Sequence, residues 1–223
     1  MNIKLLFQAI VKFLMGLIIV MILLFLPPWT FEYCNAWLLI GLLFIPMFLV
    51  GLIMCFKSPS LLKSRLNARE KEMEQKQVVL FSGLMFILGF VIAGLNYRYK
   101  WIILPDIVVI VSSVIFIISY ILYAIVLKEN TYLSRTIEVQ KDQKVIDTGL
   151  YSIVRHPMYM STVFLFLSIP LILNSLISFL IFLAYPFILV KRINNEEKVL
   201  EKELKGYKEY KRKVEYRLIP YIW

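Results

Sequence analysis

The chain contains four apolar runs that are too long for the core of a water-soluble domain. They cover residues 5–26, 36–56, 78–95 and 104–127. Each is close to the length of about 20 residues with which a helix crosses the hydrocarbon core of a bilayer. Of the 223 residues, 60% are hydrophobic, whereas soluble domains are usually about 45–50% apolar. Because a backbone in lipid must satisfy its polar groups internally, these runs predict an all-α integral membrane protein with four transmembrane helices.

A further apolar region, residues 158–190, is too long for a single span. Asn174 and Ser175 interrupt it near its centre, with Pro170 and Pro186 on either side. This pattern predicts a membrane helical hairpin that turns near Asn174 and packs against the other spans.

The chain becomes polar again over residues 191–216. Leu200, Leu204 and Tyr207 fall on one helical face of this stretch, with Lys and Glu elsewhere. An apolar stripe of this kind predicts an amphipathic tail helix that leaves the membrane on the cytoplasmic side.

Residues 128–157 form a second long polar stretch, which is too long for a simple turn and therefore indicates a function. We accordingly divide the chain into two regions. Residues 1–127 are predicted to form the N-terminal transmembrane helices, and residues 128–223 a second region that includes the hairpin and the cytoplasmic tail.

The distribution of Lys and Arg indicates which loops face the cytoplasm. The formal net charge is +10, with 25 basic and 15 acidic residues. Residues 57–77 carry six basic side chains and residues 128–157 carry five, whereas residues 27–35 carry none and residues 96–103 carry two. Because cytoplasmic loops are enriched in Lys and Arg, the N-terminus, residues 57–77, residues 128–157 and the C-terminal tail are predicted to be cytoplasmic. This placement favours contact with anionic membrane lipid over nucleic-acid binding.

Cysteine and histidine usage gives no metal or disulfide pattern. Cys34 and Cys55 lie at opposite ends of one predicted span, which is too far apart for a bridge. His156 is the only histidine, so no metal site is predicted.

Polar side chains of the types that take part in catalysis or ligand binding cluster in three short segments. Residues 149–159 read GLYSIVRHPMY, residues 191–200 read KRINNEEKVL, and residues 206–210 read GYKEY. The predicted hairpin connects the first segment to the second. Two helices that run out and back would therefore bring these segments together at the cytoplasmic membrane surface.

This combination resembles the isoprenylcysteine carboxyl methyltransferase family, and more widely the small integral-membrane methyltransferases that include the phospholipid N-methyltransferases. The pattern is G-x-Y-x-x-x-R-H-P-x-Y, then R-x-x-x-E-E-x-x-L about 35 residues later, and it lies within residues 145–217. The resemblance implies S-adenosyl-L-methionine as methyl donor, an activity of class EC 2.1.1, and a cytosolic cofactor pocket. It also implies an opening towards lipid for a lipophilic or lipid-linked acceptor.

The resemblance also implies that residues 128–223 are a catalytic and cofactor-binding region, and it implies roles for individual residues. The cofactor-pocket positions correspond to Tyr151, His156, Pro157, Tyr159, Glu196 and Glu197. The catalytic positions correspond to Arg155, His156, Arg192 and Glu197. Two positions depart from the family pattern, because Leu150 stands where members often have Pro and Ser161 where many have Gly.

In chemical terms, a Glu carboxylate suits the ribose hydroxyls or the ammonium of the cofactor, and Arg155 or His156 suits its carboxylate. An acceptor carboxylate is already ionised near neutral pH and needs no base. An amine or thiol acceptor needs one, for which His156 and Glu197 are the candidates.

Structural interpretations of the same residues are also open. His156 could cap the first hairpin helix, with Pro157 in its first turn. Arg155 could anchor the chain at the membrane surface. The two glutamates could stabilise the first turn of a tail helix through its dipole. Tyr207 and Tyr210 could pack the tail onto the core.

Two other functions are compatible with the pattern. One is an NADPH-dependent membrane reductase of the sterol reductase type, which Pro157 disfavours. The other is a non-enzymatic membrane protein. The sparse charge inside the four spans argues against an ion or proton pathway. The acceptor and the oligomeric state stay open from the sequence.

Overall fold

The computed structural model describes residues 3–67 and 73–223. These residues contain no β-strand. Their α-helices are α1 (Ile3–Phe25), α2 (Cys34–Lys57), α3 (Pro59–Leu66), α4 (Met73–Tyr99), α5 (Asp106–Glu129), α6 (Pro157–Ile172), α7 (Leu176–Phe182), α8 (Ala184–Glu203) and α9 (Tyr207–Lys213). A 3₁₀ turn, Gly149–Ser152, precedes α6.

Five helical segments of the described chain are long and apolar enough to cross a membrane. Four of them are α1, α2, most of α4, and α5, and they correspond to the four predicted spans. The fifth is Leu176–Glu203, which comprises α7 and α8, whereas α6 is a shorter apolar helix. The prediction of an all-helical, multi-pass membrane protein is therefore confirmed. The predicted 57–77 loop contains α3, and its residues 68–72 lie outside the described part of the chain.

The C-terminal region differs in detail from the predicted hairpin and tail. The chain turns at residues 173–175, but the return path is divided at Leu183 into α7 and α8. Pro186 explains this division, because a proline ring clashes with the carbonyl group four residues earlier, which is that of Phe182 at the end of α7.

The polar stretch after residue 190 does not begin a separate helix as the sequence predicted. It continues α8 to Glu203, because Ile193 and Glu197 stay buried along the same helix. The chain leaves this helix at Leu204, and Gly206 follows with a φ of 88° that favours glycine.

Helix α6 lies in the interior of the bundle and packs most extensively along α5, while α4 packs against α7 and α8. Phe86 of α4 makes edge-on ring contacts with Phe166 of α6 and Phe182 of α7. Gly89 lets α7 approach α4, since a Cβ atom there would lie 2.3 Å from the Phe182 ring. This packing fixes the position of α6 and therefore of the polar segment that precedes it.

The turn between α6 and α7 is held by neutral hydrogen bonds, and we call this part of the bundle the amide end. Asn174 has a φ of 56°. Its Nδ2 donates to the Leu104 carbonyl (3.1 Å), and its Oδ1 accepts from the Leu104 amide (2.6 Å). Asn96 Nδ2 donates to the Asn174 carbonyl at 3.0 Å, and Asn35 Nδ2 to the Ile172 carbonyl at 2.8 Å. The hairpin is thereby pinned on the side opposite the three polar segments.

Candidate functional site

One buried carboxylate joins the two polar segments that the sequence singled out. Glu197, in α8, is 2% exposed. Its Oε1 accepts from Arg155 Nε at 2.8 Å and lies 3.2 Å from His156 Nε2. Its Oε2 lies 3.1 Å from Arg217 Nη2 and 3.4 Å from Lys211 Nζ, as ion pairs without hydrogen-bond geometry. We call these five residues the charged cluster.

The C-terminal segment holds Arg155 and His156 in place through their backbone and side chains. The Arg155 amide donates to the Tyr216 carbonyl, and the His156 amide to the Arg217 carbonyl, both at 2.9 Å. Arg155 Nη1 also donates to the carbonyl groups of Val214 and Glu215 at 2.7 Å. These bonds satisfy most of a buried guanidinium group, which would otherwise be costly to remove from water.

The turn before Arg155 is anchored to the end of α5. Gly149 has a φ of 56°, and a Cβ atom there would lie 2.2 Å from the Glu129 carboxylate. That carboxylate accepts from the Leu150 amide at 3.1 Å. Asn130 Nδ2 donates to the Tyr151 hydroxyl at 3.1 Å. Tyr151 is therefore held at a fixed distance from α5.

A second polar group lies beside the charged cluster. The Tyr159 hydroxyl donates to Glu196, and Arg192 Nε donates to the same hydroxyl at 2.8 Å. Arg192 Nη2 donates to the Arg135 carbonyl at 2.7 Å, which connects α8 to the segment after α5. The adjacent residues Glu196 and Glu197 therefore take part in two different networks.

These networks border a cavity of about 810 Å³, including the space that is open to solvent. Its walls are residues 130–146, the start of α6, α8 and α9. Six of the predicted site residues line it, namely Tyr151, Arg155, His156, Tyr159, Arg192 and Glu196. Pro157 and Glu197 do not line it: Pro157 is buried at the first position of α6, and Glu197 lies in the charged cluster.

The cavity also contains residues that the sequence did not assign to a site. Tyr210 packs with Leu204 and Val214, as the structural interpretation predicts. It also lines the cavity and donates to the Tyr151 carbonyl at 2.7 Å. Residues 130–146 form one wall of the cavity. In the sequence, the unusual length of the polar stretch 128–157 was the feature that indicated a role for them.

Tyr207 is a buried cavity residue whose surroundings could not be inferred from the sequence. It lines the cavity and is 4% exposed, and its hydroxyl has no hydrogen-bond partner within residues 3–67 and 73–223. Burial raises the pKa of Tyr207, and the carboxylates of Glu197 and Glu196 raise it further. The hydroxyl is therefore protonated and available as a donor.

The structure also bears on the structural interpretations of these residues. His156 occupies the N-cap position of α6, but its side chain makes no capping hydrogen bond. Arg155 is 6% exposed, so it does not extend to the membrane surface as an anchor would. Glu196 and Glu197 lie well inside α8 rather than in a first turn, where the helix dipole acts.

Fold and site together define a polytopic helical membrane protein with a polar pocket at one end of the bundle. Residues 108–202 match the model of the isoprenylcysteine carboxyl methyltransferase (ICMT) family, and this match confirms the family resemblance predicted from the motifs. The chain is also 31% identical over 91 residues to the Delta(14)-sterol reductase of Mus musculus. That alignment covers 40% of this chain and 22% of the reductase, so the chain spans about a fifth of this relative's length.

Proposed function

We propose that this protein is an integral-membrane methyltransferase that uses S-adenosyl-L-methionine and acts on a lipophilic acceptor. The observation that carries the proposal is the single cavity into which Tyr151, His156, Tyr159, Arg192 and Glu196 converge from segments far apart in sequence. The match of residues 108–202 to the ICMT family supports the reaction class.

The side chains around the cavity fit the polar groups of this cofactor. The Tyr207 hydroxyl, which has no partner among the described residues, provides a donor that a bound ligand would satisfy. Glu196 offers a carboxylate to ribose hydroxyls or an ammonium group, and Arg192 and His156 suit a carboxylate. Tyr151 offers an aromatic surface for the adenine or the sulfonium. When bound, S-adenosyl-L-methionine supplies an electrophilic methyl group.

We assign Glu197 a positioning role rather than contact with the cofactor. Arg155, His156, Lys211 and Arg217 surround its two oxygens, and it does not line the cavity. Its negative charge holds Arg155 and His156 beside the cavity wall. Fixed groups of this kind orient donor and acceptor, which is the main requirement of a displacement at a methyl group.

The acceptor decides whether the protein must also remove a proton. A carboxylate acceptor needs no base, because it is ionised near neutral pH. For an amine or thiol acceptor, His156 is the better candidate, since it borders the cavity and Glu197 does not. We further propose that the cavity, the N-terminus and the C-terminal tail face the cytoplasm, in line with the excess of Lys and Arg around them.

A second candidate function is supported by the similarity to the mouse sterol reductase. In that case the cavity would hold NADPH, whose phosphates Arg192 and nearby basic side chains could bind. The two candidates differ in cofactor, so a binding experiment separates them.

The experiment measures thermal unfolding of the purified protein in neutral detergent with S-adenosylhomocysteine or NADPH. A ligand that binds only the folded state raises the melting temperature with its concentration. Stabilisation by S-adenosylhomocysteine alone supports the methyltransferase, and stabilisation by NADPH alone supports the reductase. Stabilisation by neither contradicts both.

Two variants of α8 serve as matched controls for that experiment. Glu196→Gln changes a carboxylate that borders the cavity and should reduce the stabilisation at a given ligand concentration. Glu203→Gln changes an exposed carboxylate at the end of the same helix and should retain it. Equal responses in the two variants would contradict the assignment of Glu196.

A further inference from the structure

A cluster of three arginines lies beside the cavity, and two of them, Arg65 and Arg135, have no part in the proposed function. Arg65 comes from α3, Arg135 from the segment after α5, and Arg192 from α8. Arg65 Nη1 donates to the Ser134 carbonyl at 3.2 Å, and Arg192 Nη2 donates to the Arg135 carbonyl at 2.7 Å. Two guanidinium groups from distant parts of the chain therefore meet at consecutive backbone carbonyls, one of which belongs to Arg135.

Two arginines of this cluster, Arg65 and Arg135, have no carboxylate partner among the described residues. Partial burial lowers the pKa of Arg135, and the charges of Arg65 and Arg192 lower it further. These neighbours repel one another, so an anion placed between them would be favoured.

The surroundings of Arg65 and Arg192 indicate how deep this cluster lies relative to the membrane. Arg65 donates to the hydroxyl of Tyr123 and lies 5.6 Å from the centre of its ring. Tyr123 precedes the end of α5 by six residues, which is roughly 9 Å along the helix axis. Arg192 lies where α8 changes from apolar to polar residues. The cluster is therefore at the boundary between hydrocarbon and water, where lipid phosphates lie.

We propose that Arg65 and Arg135, next to Arg192, bind the phosphate of an anionic phospholipid. A guanidinium group binds phosphate oxygens through paired N–H donors. The absence of a carboxylate paired with Arg65 or Arg135 in the described chain disfavours headgroups that carry an ammonium. Arg192 also lines the cofactor cavity, whereas Arg65 and Arg135 do not. The proposal concerns these two residues and therefore goes beyond the proposed function.

The test measures the melting temperature of the purified protein in neutral detergent during titration with dioleoylphosphatidylglycerol or dioleoylphosphatidylcholine. The anionic lipid should stabilise the protein at lower mole fractions than the zwitterionic lipid. Arg135→Gln should weaken the apparent affinity for the anionic lipid about fivefold, the effect of one basic side chain near a charged membrane surface. No side-chain hydrogen bond or ion pair of Arg135 is present in the described structure, so this variant should still fold.

Arg98→Gln is the matched control. Arg98 is exposed beside Tyr99 near the C-terminal end of α4, close to Asn96 at the amide end of the bundle. This variant should leave the lipid response unchanged. Equal stabilisation by both lipids, an unchanged response in Arg135→Gln, or equal weakening in Arg98→Gln would overturn the proposal. Full stabilisation by inorganic phosphate without lipid would also overturn it, because the ligand would then be a free anion.

Discussion

The two ends of the C-terminal hairpin are held by opposite kinds of interaction. At the amide end, Asn174, Asn96 and Asn35 pair with backbone groups, and every partner is neutral. At the other end, the charged cluster places Glu197 among several cationic side chains. One end therefore fixes geometry with little electrostatic field, and the other produces a field beside the cavity.

This difference follows from the energetics of buried polar groups. A neutral hydrogen bond contributes about 0.5–1.5 kcal/mol net, so the amide end stabilises the turn without storing charge. Buried ions lose several kcal/mol of solvation each, which their mutual attraction must offset. Because of this cost, a buried ion cluster does not by itself indicate a gain in stability. Its position beside the cavity favours a role in binding.

The largest expected effect is that of Glu197→Gln, which leaves the buried Arg155 without its anionic partner. Removing one member of a buried ion pair costs about 3–5 kcal/mol, so the melting temperature should fall strongly and binding of S-adenosylhomocysteine should be lost. Thermal unfolding with and without ligand measures both effects. Wild-type stability in this variant would contradict the role of the charged cluster.

Substitutions at the amide end should lower the stability of the fold without changing the affinity for S-adenosylhomocysteine. Asn174→Ala removes the pair of hydrogen bonds to Leu104 and places alanine at a φ of 56°. The expected loss is about 1–3 kcal/mol of unfolding free energy, with unchanged affinity for S-adenosylhomocysteine. Asn174→Gly, which accepts this φ, should lose less. A loss of ligand affinity in either variant would show that the two ends are not independent.

Glu196→Gln should give the reverse pattern to Asn174→Ala. Glu196 is partly buried and accepts from Tyr159 beside the cavity. Replacing the carboxylate with an amide should weaken S-adenosylhomocysteine binding about tenfold, because hydrogen bonds to charged groups are worth about 1.5–3 kcal/mol. The melting temperature without ligand should change little. Isothermal titration calorimetry would measure the affinity directly.

Tyr207→Phe should have a smaller effect that depends on the ligand. The hydroxyl of Tyr207 has no partner among the described residues, so its removal should leave the unliganded protein equally stable or slightly more stable. Binding of S-adenosylhomocysteine should weaken by about 0.5–1.5 kcal/mol, the net value of one hydrogen bond. Unchanged affinity would show that the hydroxyl does not contact the ligand.

The smallest effect concerns the exposed edge of the charged cluster. Glu201 and Glu197 raise the pKa of Lys211, chiefly through the hydrogen bond to Glu201. A lysine with a raised pKa stabilises the fold below its ordinary value of 10.5, and this contribution disappears as the pH rises through the folded-state pKa. Relative to Lys211→Met, the wild type should therefore lose a small advantage above about pH 10.5, measured by thermal unfolding at several pH values. A pH-independent difference would contradict this role.

Part of this organisation could be predicted from the sequence. The spans followed from the length of the apolar runs, and the turn near Asn174 followed from the polar interruption between two prolines. The continuation of α8 past residue 190 could not be predicted, because a polar composition suggested a new helix. Burial of Ile193 and Glu197 against other parts of the fold keeps that helix intact.

The sequence by itself determined the membrane class and the spans, since lipid forces each apolar run to satisfy its own backbone as a helix. It also singled out the polar segments that border the cavity. Only the tertiary structure decided which of two adjacent glutamates borders the cavity. Neighbouring side chains on a helix point about 100° apart, and the rotation of α8 is set by its packing against α4 and α6. Glu196 is thereby directed to the cavity, and Glu197 to the cations of the charged cluster.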